Sequence, residues 1–238
     1  MKIDRLVLGE FETNCYIVQS AEQSPECLII DTGLDVGALL AFIEHNKLTP
    51  AGVVLTHGHI DHIAGVDALR TKFPSITTYI HKSDAELLTD SVGNLSFMVD
   101  STLRLDSGQA SSPQAGRSFN AGQADHLVDE GDIINQAGIK LRVIHTPGHT
   151  PGGICLYAEP LDYARGRQEG IVFVGDTLFA DSVGRTDFPG GNMKQLIDGI
   201  KTKLLTLPDE TIVYPGHGPQ TTIKREKSHN PFLHQPQR

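Results

Sequence analysis

Apolar residues along the chain fall into two patterns that predict strands and helices. Short runs rich in β-branched residues are typical of strands, and apolar residues repeated every three or four positions are typical of helices. Strands are predicted at 3–8, 15–19, 27–31, 53–55, 76–80, 139–144, 154–157, 171–174 and 212–214. Helices are predicted at 36–45, 63–73, 83–89, 193–205 and about 223–228.

The order of these elements predicts an α/β protein with mixed sheets. The first three strands follow one another closely, as hairpins do, and the later strands alternate with helices. No internal repeat or domain boundary is evident, so residues 1–238 are expected to form a single domain. The polar segment 106–125, rich in Ser, Gly, Gln and Ala, is long for a loop. It is either a lid over a site or an excursion without function.

Composition narrows the classes of partner. A hydrophobic fraction of 39% is enough for a substantial core, and the formal net charge of −9 argues against binding to a nucleic-acid backbone. No apolar run approaches the length of a membrane span, and the N-terminus lacks the apolar stretch of a signal peptide. A cytoplasmic protein is expected, with a small molecule as its partner and neither nucleic acid nor membrane.

The cysteines give no sign of a metal or redox motif. They are three in number and far apart, and no two of them form a CxxC pair. Each lies in an apolar run that resembles a strand, so buried thiols are expected, in preference to ligands or nucleophiles. The residues are Cys15, Cys27 and Cys155.

The strongest chemical signal is the segment 56–62, with the sequence THGHIDH. It places three imidazoles and one carboxylate within seven positions. An apolar run at 51–55 precedes it and helical spacing follows it, so the cluster is predicted to lie in a loop that leaves a strand and enters a helix. Loops at that end of a strand are where α/β proteins hold their functional residues.

Three further candidates lie singly in turn-rich segments after predicted strands. His149 lies in TPGHTPGG, Asp176 in VGDT and His217 in YPGHGP. Glycine and proline neighbours let the backbone pack closely around a site and hold a side chain in place. Each candidate is weak alone, but together with the cluster they predict a metal site assembled from four strand ends.

The order HxHxDH, then His149, Asp176 and His217, resembles the metallo-β-lactamase superfamily from about residue 3 to 233. The motifs NCY at 14–16, IDTG at 30–33, GRTD at 184–187 and PGHG at 215–218 most resemble short, single-domain glyoxalase II-like hydrolases. The resemblance implies an αββα sandwich, in which helices flank two mixed β-sheets and the site lies along the edge between the sheets.

The resemblance also implies two divalent metal ions, each held by one set of residues. One ion would be held by His57, His59 and His149, and the other by Asp61, His62 and His217, with Asp176 bridging the two. Such donors suit Zn²⁺, with Fe or Mn as alternatives. A hydroxide bridging the two metals would attack a carbonyl carbon. Asp61 is expected to be catalytic as well as a ligand, because it would orient this hydroxide.

Four further residues lie beside the cluster, and three of them, Asp31, Arg185 and His81, carry two interpretations each. In the family, an acid at Asp31 steadies the metal-ligand loop; alternatively, Asp31 caps the turn before the next helix. Arg185 either clamps a substrate carboxylate or pairs with Asp187. His145 is interpreted as structural, and His81 as a surface or capping residue in preference to a residue at the edge of the pocket.

The resemblance implies hydrolysis of S-(2-hydroxyacyl)glutathione or a similar small thioester. About twenty residues follow His217, too few for the helical domain that supplies glutathione binding in longer glyoxalases II, so tight recognition of glutathione is in doubt. The alternatives are an iron-dependent persulfide dioxygenase, a lactonase or phosphodiesterase of the same fold, and a metal-dependent binding module without catalysis.

Overall fold

The protein folds around two six-stranded sheets in the residues that its computed structural model describes, which are 1–99, 119–159 and 169–234. The first sheet has the order β1–β2–β3–β4–β5–β6, and its strands are β1 (Lys2–Leu8), β2 (Thr13–Gln19), β3 (Glu26–Ile30), β4 (Thr49–Val54), β5 (Thr77–His81) and β6 (His126–Val128). Pairing is antiparallel from β1 to β3 and parallel from β3 to β6.

The second sheet is also mixed. Its strands are β7 (Ile133–Gln136), β8 (Ile139–His145), β9 (Ile154–Ala158), β10 (Ile171–Gly175), β13 (Ile212–Pro215) and β14 (Thr221–Thr222), in the order β14–β13–β10–β9–β8–β7. Only the β10–β13 pair is parallel among the pairs of this sheet in the described residues. A small hairpin joins β11 (Leu178–Phe179) to β12 (Ser182–Val183).

Helices cover the outer faces of both sheets. They are α1 (Val36–His45), α2 (Ile60–Ile63), α3 (Val66–Lys72), α4 (Met193–Thr202), α5 (Ile223–His229) and α6 (Pro231–His234), with single-turn or 3₁₀ segments at Lys82–Leu88, Ser96–Met98 and Leu204–Thr206. No helix in the described parts of the chain has the length and apolar character needed to span a membrane.

The protein has three apolar layers, and strand β2 shows how the sequence produces two of them. All its residues are buried, and their side chains alternate between the two faces of the sheet. Cys15 and Ile17 pack into the layer under α1 and α3, whereas Tyr16 and Val18 pack between the two sheets. A third layer lies between the second sheet and α4 and α5. The αββα sandwich expected from the sequence is therefore confirmed.

Several predicted boundaries were wrong. The helix predicted at 63–73 is divided, because the Gly65 N–H donates to Thr32 Oγ1 at 2.9 Å and a new helix begins there. The helix predicted at 83–89 is a 3₁₀ segment, and the one at 193–205 ends at Thr202 before a short 3₁₀ turn. The short strands β6, β7 and β14 were missed, since two to four residues carry too little periodicity.

Residues 106–118 of the polar segment predicted at 106–125 lie outside the described residues. Its last residues, 119–125, run beside α3. The Arg70 guanidinium donates to the carbonyl oxygens of Ala121 and Gln123, and the Asp125 carboxylate accepts from the Thr78 N–H at 2.8 Å. These contacts fix the end of the segment to the first sheet. The single-domain organisation stays a prediction.

Candidate metal centre

The candidate ligands come together where loops leave four strands at one edge of the sandwich. The loops follow β4, β8, β10 and β13. Main-chain hydrogen bonds join the two sheets at this edge: Ile154 N–H donates to Thr56 O at 2.9 Å, and Asn14 N–H to Gly216 O at 2.7 Å. The backbone that carries the ligands is therefore fixed by both sheets.

The first half of the centre consists of three buried histidines. His59 Nδ1 lies 2.9 Å from His149 Nε2, and the His57 ring centroid lies 4.8 Å from the centroids of the other two rings. One nitrogen from each ring lies within 4.8 Å of the other two, so a single ion would reach all three. The structure thus brings His57, His59 and His149 together as the sequence predicted.

The second half brings together Asp61, His62 and His217. Asp61 Oδ2 lies 3.3 Å from His62 Nε2 and 3.2 Å from His217 Nε2. These atoms also lie within 4.8 Å of one another.

Asp176 lies between the two halves. Its Oδ1 is 3.5 Å from His62 Nε2, and its Oδ2 is 3.6 Å from His149 Nε2 and 3.5 Å from His217 Nε2. The carboxylate therefore faces histidines of both sets, as a bridging ligand requires.

Three buried polar atoms at the centre test whether a metal fits. His57 Nε2, His62 Nε2 and Asp176 Oδ1 have no hydrogen-bond partner. An unsatisfied buried polar atom costs about 1–3 kcal/mol, so three in one place need an explanation. Divalent cations would satisfy all three, and imidazole nitrogens with carboxylate oxygens are the donors that Zn²⁺, Fe and Mn accept.

In His57, His149 and His217, the ring nitrogen that faces away from the centre is held by a partner. His57 Nδ1 lies 3.1 Å from Thr56 Oγ1, which itself donates to Asp31, so the ring is the donor and its Nε2 is left free. His149 Nδ1 donates to Arg185 O at 2.7 Å, and His217 Nδ1 to Phe11 O at 2.8 Å. Such partners fix the tautomer and the orientation of a metal-binding imidazole.

Electrostatics divide the centre into two different halves. Burial, together with the neighbouring imidazoles, lowers the pKa of His59 to about 3 and that of His57 well below its usual range. In the second half burial disfavours the protonated form of His217, but the contacts with Asp176 and Asp61 outweigh it and raise the pKa of His217 to about 10. Burial likewise acts against ionisation of Asp176, but His62 and His217 lower its pKa to about 2. Metals bind neutral histidines and ionised carboxylates, so His57, His59 and Asp176 already have the form that binds a metal, whereas His217 would release a proton on binding one.

Asp31 holds the loop of the cluster from beneath. Its carboxylate accepts hydrogen bonds from the Thr56 N–H and hydroxyl, both at 2.8 Å, and its Oδ2 lies 2.8 Å from His62 Nδ1. The N-cap of α1 is Asp35, whose side chain accepts from Ala38 N–H at 3.0 Å. The structure therefore places Asp31 behind the loop of the cluster, while Asp35 caps α1, and the role of Asp31 in steadying the metal-ligand loop stays a prediction.

Arg185 lies at the rim of the centre and forms a bidentate pair with Asp187. Its Nε and Nη2 donate to the two oxygens of Asp187, both at 2.7 Å, and its guanidinium stacks over Phe188 at 4.0 Å. Phe188 in turn lies 5.6 Å from the His59 ring. Of the two alternatives for Arg185, the structure contains the pair with Asp187, and substrate binding stays a prediction.

His81 and His145 form a separate pair. Their rings are stacked 3.9 Å apart at 16°, near Asp129. His81 Nδ1 accepts from Ser83 N–H, so the capping role is seen, but the residue is buried and not on the surface. Nearly parallel rings do not direct two lone pairs at one ion, and the Lys82 ammonium contacts Asp129. This pair is structural, as expected for His145.

Two residues of the centre were missed by the sequence analysis. Thr13 Oγ1 donates to Asp61 Oδ2 at 3.0 Å, and the buried Asp84 accepts hydrogen bonds from two of the ligand loops. Neither lies in a motif, and Asp84 falls in a segment that looks like an ordinary helix, so no signal in one sequence marks them. The cysteines are buried and free, as expected.

The fold and the centre are those of a known class of protein. A family model of the metallo-beta-lactamase superfamily matches residues 8–217, and the chain belongs to this superfamily. It is 36% identical over 233 residues to the probable metallo-hydrolase YqgX of Bacillus subtilis, with 98% of both chains covered. It is 32% identical over 239 residues to the hydroxyacylglutathione hydrolase GloC of Haemophilus influenzae, again covering 98% of both chains.

Solved structures show the same architecture. The BLEG-1 B3 metallo-beta-lactamase has a TM-score of 0.81 and 37% identity, with 98% of this chain and 100% of that chain covered. TTHA1623 in a di-iron-bound form has a TM-score of 0.70 and 32% identity, with coverage of 97% and 100%. The matches extend over nearly the whole length of all four proteins, so they concern the complete fold and not an isolated motif.

Proposed function

We propose that the protein is a binuclear metallohydrolase that cleaves small thioesters, with S-(2-hydroxyacyl)glutathione or a similar compound as the substrate. The observation that carries this proposal is that the seven predicted ligands lie together and that three of their buried atoms have no hydrogen-bond partner. Two adjacent sets of three donors with a shared carboxylate suit two ions, with Zn²⁺ as the first candidate and Fe or Mn as alternatives.

Divalent ions at this centre would supply Lewis-acid activation of a water molecule and of the scissile carbonyl. The chain itself positions these groups. The His57, His59 and His149 rings form the buried side of the centre, and Asp61 faces the second side with its Oδ2 held by the Thr13 hydroxyl at 3.0 Å. Asp61 thus has a fixed direction from which to orient the attacking water.

A thioester is proposed because of its leaving group and because of what the chain resembles. A thiolate is a good leaving group and needs little protonation, and among the described residues the mechanism uses no separate general acid. The 32% identity to a hydroxyacylglutathione hydrolase over nearly the whole chain supports the same bond type. We propose a small-molecule thioester as the partner of this site, and a cytoplasmic location for the protein.

The test is hydrolysis of S-lactoylglutathione by protein of measured metal content. Turnover by the native chain and its loss in His59→Ala, together with a lower metal content, are the expected results. A His59→Ala variant with native turnover would overturn the assignment of the site. His229→Ala is a suitable control, because this exposed histidine at the end of α5 contacts the Arg225 carbonyl and no candidate ligand.

Hydrolysis of β-lactams is a second candidate, favoured by the 37% identity and TM-score of 0.81 to BLEG-1. A chromogenic cephalosporin tests it under the same conditions. Turnover of the cephalosporin without turnover of the thioester would keep the metallohydrolase and replace its substrate. One iron per chain, without hydrolysis of either compound, would favour the persulfide dioxygenase alternative.

A further inference from the structure

Asp84 is the one fully buried carboxylate in the described residues that contacts two ligand loops without belonging to the predicted ligand set. It lies in the 3₁₀ segment Lys82–Leu88, which follows β5 and packs against the loops that carry the first three histidines. Its oxygens accept three hydrogen bonds, all of them from groups in the two loops that carry those histidines. This segment has no part in the mechanism above.

The three donors come from both loops. Asp84 Oδ2 accepts from the Gly58 N–H at 3.1 Å, in the middle of the His57–Gly58–His59 sequence. The same oxygen accepts from the Thr150 hydroxyl at 2.7 Å, and Oδ1 accepts from the Gly152 N–H at 2.6 Å. Thr150 directly follows His149, so one side chain connects the loop of His57 and His59 to the loop of His149.

Close packing leaves little freedom at either contact. A Cβ at Gly58 would lie 2.5 Å from Leu87 Cβ, and a Cβ at Gly152 would lie 2.6 Å from Asp84 N and Oδ1. Only glycine at both positions lets the 82–88 segment approach the loops closely enough for these hydrogen bonds. The two glycines and the carboxylate therefore form one unit.

We propose that Asp84 is a positioning residue for the His57–His59–His149 half of the metal centre. This proposal rests on the proposed function only in assuming that this half binds a metal. Asp31 supports the centre from another side, because it contacts His62 directly and His57 through the Thr56 hydroxyl. Asp84 differs in connecting the two loops of the first half, and it sets the distance between His149 and the other two histidines.

Replacement of Asp84 by Asn preserves the size of the side chain but turns one acceptor into a donor. An amide NH₂ would face either the Gly152 N–H or the Gly58 N–H, both of which need an acceptor. Groups that orient metal ligands from behind contribute about 10- to 100-fold to metal affinity. The expected loss of Zn²⁺ affinity is of that size, and it is confined to the first half.

The experiment measures Zn²⁺ affinity by chelator competition, without substrate, in two backgrounds. His217→Ala keeps the first half and impairs the second, and His149→Ala does the reverse. Asp84→Asn is expected to weaken Zn²⁺ binding about 10- to 100-fold in the His217→Ala background and to leave it unchanged in the His149→Ala background. Equal losses in both backgrounds, or no loss in either, would overturn the proposal.

Glu226→Gln is the matched control. Glu226 is also fully buried, and its oxygens accept from the Thr221 hydroxyl, the Asp181 N–H and the Asn230 side chain at 2.6, 2.9 and 2.8 Å. It contacts no ligand loop, so this variant is expected to lower thermal stability without changing Zn²⁺ affinity in either background. An equal loss of affinity in Glu226→Gln would attribute the Asp84 effect to stability alone.

Thr150→Val is a milder variant if Asp84→Asn does not fold. It removes only the hydroxyl that donates to Asp84 Oδ2 and leaves both amide donors in place. A smaller loss of affinity, again confined to the first half, is expected, and unchanged affinity in the His217→Ala background would count against the proposal. Since substrate is absent from these measurements, a failure of the thioesterase proposal leaves their outcome unaffected.

Discussion

Gly216 allows a direct test of whether the space at the centre is needed for metal binding. A Cβ at this position would lie 2.2 Å from Asp176 Oδ1 and 2.8 Å from His62 Cε1. The first distance is about 1.2 Å shorter than the ordinary contact that begins at 3.4 Å. The Gly216→Ala substitution therefore displaces Asp176, the carboxylate proposed to bridge the two ions.

The size of the effect follows from what is displaced. Overpacking costs about 1–3 kcal/mol, and a chain of this length loses about 2–4 °C in Tm per kcal/mol, so the metal-free protein should melt several degrees lower. Groups that only orient a metal ligand contribute up to about 100-fold to metal affinity. Displacing the ligand itself should therefore lower Zn²⁺ affinity by at least about 100-fold, or ~2.8 kcal/mol. Both ions should be affected, because Asp176 contacts histidines of both halves.

Gly218→Ala separates a steric block from a general loss of stability. Gly218 has a φ of +73°, which an alanine adopts only with strain, but nothing lies within 4 Å of a Cβ there. This variant should also melt at a lower temperature while it keeps its metal content. Calorimetric melting of the metal-free proteins and Zn²⁺ titration of both variants are the measurements. Native Zn²⁺ affinity in Gly216→Ala would show that the space beside Asp176 is not needed for metal binding.

Three further predictions follow from contacts at and around the centre. Asp31→Asn should leave His62 Nδ1 facing an amide donor and should lower Zn²⁺ affinity about 10- to 100-fold, measured by chelator competition; unchanged affinity would show that Asp31 only supports the backbone. Asp61→Asn should lower the rate of thioester hydrolysis at saturating metal, and a variant with both metals and the full rate would contradict its catalytic role. The three cysteines should not react with a disulfide reagent at pH 8 until guanidinium unfolds the protein, because each is fully buried and burial raises the pKa of the Cys155 thiol to about 11; rapid labelling of a native thiol would contradict this.

The ligand set could be predicted from the sequence because metal chemistry limits both residue type and position. His57, His59, Asp61 and His62 are close in the chain, and the remaining candidates are marked by glycine and proline in loops after strands. The αββα architecture followed from the resemblance that these residues carry. Alternation of side chains in strands such as β2 agrees with the layers that the structure contains.

Contacts between distant segments could not be predicted in the same way. Asp84 and Thr150 are 66 residues apart and meet only because the segment after β5 crosses behind the loop after β8. Thr13 meets Asp61 for a similar reason, through the pairing of residue 13 with His217. A single sequence gives the residue type at such positions but not the neighbours in space. A buried carboxylate such as Asp84 therefore cannot be distinguished from an exposed one.

Local patterns also failed where a side chain from another segment ends an element. Thr32 accepts the Gly65 N–H, and this divides a helix that the apolar spacing predicts as continuous. Arg185 has the sequence context of a substrate clamp, yet Asp187, two residues later, occupies its donors. In the first case hydrogen-bond geometry decides where the helix breaks; in the second it shows a pair with Asp187 that the residue types leave open, and substrate binding by Arg185 stays a prediction.

We propose that the centre binds two metal ions and uses them for thioester hydrolysis. The most direct measurement is elemental analysis of the purified protein combined with a rate assay on S-lactoylglutathione in the same preparation. We expect close to two divalent metals per chain, with hydrolysis that is lost on chelation and restored when the metal is returned. A protein with two metals per chain that leaves the thioester intact, or one with a single iron, would contradict this proposal.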